Sequence, residues 1–215
     1  MGSVMCLSLG YVLGSLSPSA FLAAWKKVNL RKEGSGNLGA TNTMLVMGFR
    51  YGLFVLIFDL LKTIFANRIA KLLFPQLYLA GLLATCGAVL GHIFPFYMNF
   101  QGGKGVACLA GMIMTFDFGL FLFLLAIGIT VMFVFNYGVL VPVSVAAVFP
   151  LFVLWKTHSF WAWVATTAVG LVIIHKHRDN FERIKAGEEI KVRTYFGERL
   201  PCKQLKSADK DNHEE

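Results

Sequence analysis

From Phe118 to Trp155 the chain carries no charged side chain, and apolar runs of similar character recur along most of its length. A bilayer's hydrocarbon core, about 30 Å thick, is crossed by roughly 20 residues of helix, with shorter pieces tolerated where helices kink. Composition agrees: 56% of residues are hydrophobic and 15% charged, which excludes an ordinary soluble domain. The runs predict seven spans, at about 4–25, 48–66, 77–97, 103–116, 118–136, 138–155 and 159–176. The fourth is short, and the fifth and sixth share one run broken only at Asn136-Tyr137-Gly138, so five spans is the alternative. The expected fold is an all-α integral membrane protein of about seven transmembrane helices. It forms a single polytopic domain over 1–202, with a charged, disordered tail over 203–215.

No Lys or Arg precedes the first run, while Lys26 and Lys27 follow it, the reverse of a signal peptide's charge order. That segment is expected to remain, with the N-terminus outside and the C-terminus cytoplasmic. Lys26, Lys27, Arg31, Lys32, Arg50, Lys104 and the basic tail then lie inside, against Arg68, Lys71 and Lys156 outside, which fits the positive-inside tendency. The net charge of +8 is thereby a topology signal. Its basic residues are spread over loops, which offers no face to nucleic acid. Trp155, Trp161 and Trp163 suit an outer aromatic belt. Cys6, Cys86, Cys108 and Cys202 show no Cys-x-x-Cys spacing and no nearby Cys/His set, so reduced thiols, no metal and no cofactor are expected.

The stretch Gly34-Ser35-Gly36-Asn37-Leu38-Gly39-Ala40-Thr41-Asn42 is unlike its apolar surroundings. Glycines let backbone N–H groups turn inward, and Ser35, Asn37, Thr41 and Asn42 add short side-chain donors, so this loop can line an anion site. A polar turn between two membrane helices is the alternative. Thr41 or Asn42 can cap the helix that follows. A second turn, Gly102-Gly103-Lys104-Gly105, brings a cation and N–H donors together and is followed by a helix whose positive dipole end faces the same place. It is not a Walker A loop, lacking the upstream glycine and a Ser/Thr after Lys104. A tight turn with an interfacial lysine is its structural reading. His92, taken alone, reads as a packed or interfacial histidine.

Asp59 and Lys62 stand three residues apart on one helical face inside the second span. Charges at such depth either neutralise one another and pin a neighbouring helix or supply the membrane end of a polar site. Ser17 and Pro18 are expected to bend the first span, whose Gly10 and Gly14 permit close helix packing. Beyond the seventh span, His177 and Asn180 share a face with Arg183 if the helix continues. His177 can then exchange a proton and Asn180 orient it or a hydroxyl; a basic stretch facing lipid headgroups is the other reading.

Taken together, these stretches resemble the bacterial acyl-phosphate:glycerol-3-phosphate acyltransferases, the PlsY-type family. The resemblance rests on Gly34-Ser35-Gly36-Asn37 with Gly39-Ala40-Thr41-Asn42, on Asp59 with Lys62, and on Gly91-His92 with Phe94-Pro95. It continues through Gly102-Gly103-Lys104-Gly105-Val106-Ala107 and His177 with Asn180, Arg183, Gly187 and Glu189. It implies a seven-helix monomer in the plasma (cell inner) membrane that moves a fatty acyl group from acyl phosphate to glycerol 3-phosphate on the cytoplasmic side. A soluble enzyme that makes acyl phosphate is an implied partner, and the lipid bilayer its medium. The implied catalytic residues are His177, Asn180 and Lys104. The implied substrate-binding residues are Ser35, Gly36, Asn37, Gly39, Thr41, Asn42, His92, Gly102, Gly103 and Gly105, with no metal. The chain departs from the family pattern at Leu45, where an arginine is usual, at Val139, where a serine is usual, and at Thr63, where a glycine follows the Asp-x-x-Lys. A divergent non-catalytic membrane relative that binds anionic lipid or a partner enzyme, and a transporter, are the competing functions; the missing inverted repeat and one-sided motifs weigh against transport.

Overall fold

The computed structural model describes residues 1–189, 191 and 192. Cys202 and the 203–215 tail lie outside the described residues. Among those described, regular structure is helical, apart from one isolated antiparallel bridge between Tyr137 and Lys191. The helices are α1 (Gly2–Ser15), α2 (Pro18–Lys26), α3 (Ala40–Met47), α4 (Phe49–Leu73), α5 (Ala80–Ile93), α6 (Val106–Phe116), α7 (Phe118–Phe135), α8 (Leu140–Thr157), α9 (Phe160–Lys176) and α10 (Arg178–Ala186).

The bend expected in the first span is a full break. Leu16 is extended, Ser17 caps α2 by accepting from the Ala20 N–H, and Pro18 takes the first helical position, where its missing N–H costs nothing. The backbone groups freed at the break are satisfied from other helices. Tyr97 Oη accepts from the Ser17 N–H (3.1 Å) and donates to the Ser15 carbonyl (2.8 Å), while Lys62 Nζ donates to the Leu16 carbonyl (2.7 Å).

α5 is the centre of the bundle, packed against α1, α4, α6 and α9. Its face toward α1 is built from small residues, and the two helices touch backbone to backbone. A Cβ on Gly10 would overlap the Ala84 carbonyl, one on Gly14 the Ala88 carbonyl, one on Gly87 the Leu7 carbonyl and one on Gly91 the Tyr11 carbonyl. Both helices thus carry a Gly-x-x-x-Gly seam, the arrangement by which helices pack closely in lipid. On its other side α5 meets a conventional apolar core with α6, α8 and α9, centred on Val89, Ile93, Met112, Phe149, Val169 and Ile173. Outward-facing Phe118, Phe123, Val134, Leu151 and Leu171 are exposed, as lipid-facing side chains should be.

Among the described residues, four helical stretches are both long and apolar enough to cross a membrane: Gly2–Lys26 through its break, Ala80–Met98, Phe118–Phe135 and Leu140–Thr157. The span expected at 48–66 is a longer helix, the 25-residue α4, but Arg50, Asp59, Lys62, Arg68 and Lys71 keep it from counting as apolar. α6 and α9 have 11 and 17 residues. α3 is capped by Gly39 without a side-chain bond, so Thr41 and Asn42 lie inside the helix they were expected to cap. The helix after Lys176 does not continue: His177, at φ −99° and ψ 6°, stands between α9 and α10.

Gly14→Ala tests the α1/α5 seam. The added methyl has only the Ala88 backbone to displace, so the variant should lose about 1–3 kcal/mol of stability by overpacking. Gly2→Ala, whose new Cβ would meet nothing closer than 3.8 Å, should be near neutral in the same thermal unfolding series in detergent micelles.

Candidate active site

Three segments meet at one end of the bundle: the loop before α3, the turn before α6 and the α9–α10 junction. Arg31 joins the first two, donating from Nη2 to the Gln101 carbonyl (2.6 Å) and from Nη1 to Gln101 Oε1 (3.2 Å). Lys104 joins the second to the third through a short bond from Nζ to Asn180 Oδ1.

The loop before α3 folds around Asn42. Its side chain is fully buried, accepts from the Ser35 N–H (2.7 Å) and donates to the Leu30 (2.9 Å) and Glu33 (3.1 Å) carbonyls. Gly34 turns at φ 60°, and a Cβ there would overlap Asn42 Oδ1, so this position needs glycine on both counts. Asn42, expected among the substrate-binding residues, is therefore placed behind the loop as its brace. Leu30 and Leu38 anchor the loop in a small apolar cluster with Ala23, against Val28, Val46 and Met98. Ser35 and Thr41 are exposed, Gly36, Asn37 and Gly39 half-buried. The side chains of Ser35, Asn37 and Thr41 make no hydrogen bond among the described residues. With the unpaired first N–H groups of α3, they leave a donor-rich rim.

The glycines of the second turn do something other than expected. The Gly102 N–H donates to the Ile93 carbonyl (2.9 Å) and the Gly103 N–H to the His92 carbonyl (3.2 Å). A Cβ on Gly102 would overlap the His92 carbonyl and one on Gly103 would overlap His92 Nε2. These two residues thus seat the turn on the end of α5, and their N–H groups are spent there. Gly105, at φ 84°, caps α6 and aims the turn so that Lys104 projects toward α10. His92, expected beside the substrate, is buried behind the turn. Its Nδ1 lies 3.0 Å from Lys62 Nζ and 3.3 Å from Asp59 Oδ1.

Lys62 and Asp59 are 2.7 Å apart and almost wholly buried, an ion pair more than a directed hydrogen bond. Cys108 Sγ donates to the Asp59 carbonyl at 3.4 Å. One donor atom each from Asp59, His92 and Cys108 falls within 4.8 Å, and the ammonium of Lys62 already stands beside two of them as their cation. Thr63 is buried one residue on, its hydroxyl donating to the Asp59 carbonyl (3.1 Å).

At the junction, His177 is buried, and its Nδ1 lies 2.8 Å from the Ile173 carbonyl. A carbonyl only accepts, so Nδ1 bears the proton and Nε2 is left as the acceptor of the neutral ring. Burial holds the His177 pKa below its ordinary value; the Ile173 bond opposes this, the Lys104 charge reinforces it and Glu189 opposes it weakly. Asn180 Nδ2 donates to Glu189 Oε1 (2.7 Å) and Arg183 Nε to Glu189 Oε2 (2.7 Å), so Lys104, Asn180, Glu189 and Arg183 form one chain. Burial, then the Arg183 charge, lowers the Lys104 pKa, while Asp179 and Glu189 work against that. Glu189 was not among the expected site residues. The chain reverses at Gly187 (φ 76°), and the Glu188 and Glu189 N–H groups return to the Arg183 carbonyl, folding Glu189 back over α10. Glycine just after a helix's basic last turn was the signal for this.

Of the departures, Leu45 is 39% exposed on α3, while Val139 is buried at the start of α8.

A family model described as glycerol-3-phosphate acyltransferase matches residues 4–187. The glycerol-3-phosphate acyltransferase of Coxiella burnetii (strain RSA 493 / Nine Mile phase I) is 34% identical over 197 residues, 90% of this chain and 100% of that protein. That of Legionella pneumophila (strain Paris) is 30% identical over 191 residues, 88% of this chain and 69% of that protein. The crystal structure of PlsY, an integral membrane glycerol 3-phosphate acyltransferase, in its glycerol 3-phosphate form matches with a TM-score of 0.80 at 28% identity, covering 91% of this chain and 98% of PlsY. Its lysophosphatidic acid form matches at 0.76 and 28%, covering 89% and 95%. With sequence and fold agreeing over nearly the whole described length, the chain belongs to the glycerol-3-phosphate acyltransferase family.

Proposed function

We propose that this protein transfers a fatty acyl group from acyl phosphate to glycerol 3-phosphate, giving 1-acylglycerol 3-phosphate and free phosphate for phospholipid synthesis. The observation that carries this reading is the chain of Lys104, Asn180, Glu189 and Arg183 beside the buried, neutral His177, facing the donor-rich loop before α3. Both substrates are anionic and one bears an acyl tail, so cations and free N–H groups at the end of a membrane bundle suit them. The proposed catalytic set is His177, Asn180 and Lys104, with Arg183 added. The substrate-binding set is Ser35, Gly36, Asn37, Gly39, Thr41 and Gly105. Asn42, His92, Gly102 and Gly103 hold these in position from behind. No metal or cofactor is invoked, and the unit is a monomer served by a soluble enzyme that makes acyl phosphate.

We place the site on the cytoplasmic face of the inner membrane. The chain crosses seven times, by α1 with α2 and then α4, α5, α6, α7, α8 and α9, from an outside N-terminus. α4 crosses despite its charges because Asp59 and Lys62 compensate one another. Single cysteines introduced at 37, 101 and 180 should all react with an impermeant maleimide from the cytoplasmic side only; opposite accessibility of any one would sink the arrangement.

Acyl phosphate is an activated mixed anhydride, so no covalent enzyme intermediate is needed. The glycerol hydroxyl attacks the acyl carbonyl, the bond from carbonyl carbon to phosphate oxygen breaks, and the hydroxyl proton passes to His177 Nε2. Lys104 and Arg183 stabilise the charge on the departing phosphate. Because the His177 pKa is depressed, its neutral, basic form dominates at pH 7 and is lost only as pH falls below the ordinary histidine value. Activity should therefore plateau near neutrality and fall on an acidic limb that His177→Gln removes along with most of the rate. A limb that persists unchanged in His177→Gln assigns the proton to a substrate phosphate, whose second pKa is near 6.

Charge should set the rate elsewhere. Lys104→Ala should lower kcat/KM by about ten- to a hundredfold, the worth of one charge-assisted contact, while Lys185→Ala, exposed on α10, should change it little. Leu45→Arg supplies the phosphate partner usual in the family from an accessible position and should raise kcat/KM over a comparable range. Steady-state kinetics in micelles with each substrate varied in turn decides both, and equal small effects of Lys104→Ala and Lys185→Ala would make the glycine-flanked lysine structural.

A further inference from the structure

At the other end of the bundle from Lys104, the ends of α4, α5, α6 and α8 leave a cleft of about 130 Å³, larger than one water needs. None of the motif residues lines it. Asn67 does, and it is 3% exposed yet makes no hydrogen bond among the described residues. The sealed, unpartnered side-chain atoms among those residues belong to Asp59 and Thr167, so the amide of Asn67 is open to the cleft. Lys71, one turn on, lies beside it: a Cβ on Gly81 would meet the Asn67 amide and, at 2.7 Å, Lys71 Cε. Lys71 has no ion pair among the described residues, whereas Lys156, the second lysine of the lining, is paired with Asp117. The Thr115 and Thr157 hydroxyls donate to carbonyls of their own helices. With the Thr85 hydroxyl likewise spent on the Leu82 carbonyl, the donors of the lining left unpaired among the described residues are the Asn67 amide and the Lys71 ammonium, side by side, and the hydroxyl of the exposed Tyr78.

The Asn67 amide opens to the cleft without a protein partner among the described residues and can donate to a ligand there, and the adjacent ammonium selects an anion through a charge-assisted contact. Exposed Tyr78, Trp155 and Trp161 stand at the same end, and such side chains sit at headgroup depth. We propose that this cleft binds a phosphate-bearing anion, either a lipid headgroup or free phosphate, through Asn67 and Lys71 with Lys156 as a second cation. It is separate from the acyl-transfer site and lies at the opposite membrane surface.

The test uses the full-length protein in dodecyl maltoside micelles, titrated separately with inorganic phosphate and with dihexanoyl phosphatidylglycerol, with binding read from 31P line broadening. Each titration is repeated in Lys104→Ala, since either ligand can also meet that residue. At least one ligand should bind in Lys104→Ala as in the parent, about tenfold more weakly in Lys71→Gln and Asn67→Leu, and normally in Lys71→Arg. Binding of the lipid alone names a headgroup as the ligand, and binding of phosphate alone names the free ion. Acyl transfer by Lys71→Gln should be unchanged. Lys71 is exposed, so its variants carry the test even if Asn67→Leu fails to fold. The proposal is overturned if neither ligand binds, if binding is lost in Lys104→Ala, or if Lys71→Gln leaves it intact.

Discussion

An ammonium group deep in a membrane bundle is tolerable only where every charge and dipole around it is arranged for it, and Lys62 is that group here. At 5% exposure it is held by the Asp59 carboxylate, by His92 Nδ1 and by the carbonyl of Leu16, where the first span is broken. These partners come from α4, α5 and the α1–α2 break, and Cys108 of α6 adds a bond to the Asp59 backbone. Four parts of the chain, all but α3 among those from α1 to α6, therefore converge on the Asp59–Lys62 pair. Removing one partner of a buried pair leaves the other uncompensated, at a cost of about 3–5 kcal/mol, so each element is constrained to stay. The break in the first span and the buried lysine satisfy one another: the break frees a carbonyl, and the lysine needs one.

That constraint reaches the candidate active site through a single residue. His92 faces the Asp59–Lys62 pair with its ring while its own carbonyl, with that of Ile93, receives the N–H groups of Gly103 and Gly102. The turn that presents Lys104 is thus fastened to the end of α5, which is in turn locked to α1 by backbone contact along the glycine seam. Lys104 extends from a rigid base to meet Asn180 on a short helix that has little packing of its own. Precision comes from the bundle, while α10 itself buries none of its residues.

Much of this was legible in the sequence. Charge-free runs fix helices in lipid whatever their neighbours; Asp59 with Lys62 on one helical face leaves two readings open, a self-neutralising pair or the membrane end of a polar site, and the structure shows the pair bonded to the α1–α2 break and to His92. Ser17-Pro18 marked the break, because a capping serine before proline is a local signal. What escaped was non-local. Nothing in a glycine-rich turn says whether its N–H groups face a ligand or a neighbouring carbonyl, so Gly102 and Gly103 read as donors although α5 consumes them. Asn42 looked like one polar residue among several, and only the path of the loop shows its amide buried against Leu30 and Glu33. Asn67 carries no signal of its own in the sequence, being a lone amide within a long helix between Ala66 and Arg68.

The resting arrangement of the site bears on how it would select its substrates. Lys104 and Arg183 are cations close enough to lower the proton affinity of Lys104; Asp179 and Glu189 oppose this, and of these two carboxylates it is Glu189 that also holds Asn180 and Arg183. A phosphate reaching Lys104 would have to replace Asn180 as its partner, and one reaching Arg183 would have to displace Glu189. On the proposed reading, an anion carrying two charges gains from both cations at once, whereas a singly charged carboxylate replaces Glu189 without net advantage. Discrimination in favour of phosphate would then come from the carboxylate the protein already supplies, with no need for a deeper or more positively charged pocket.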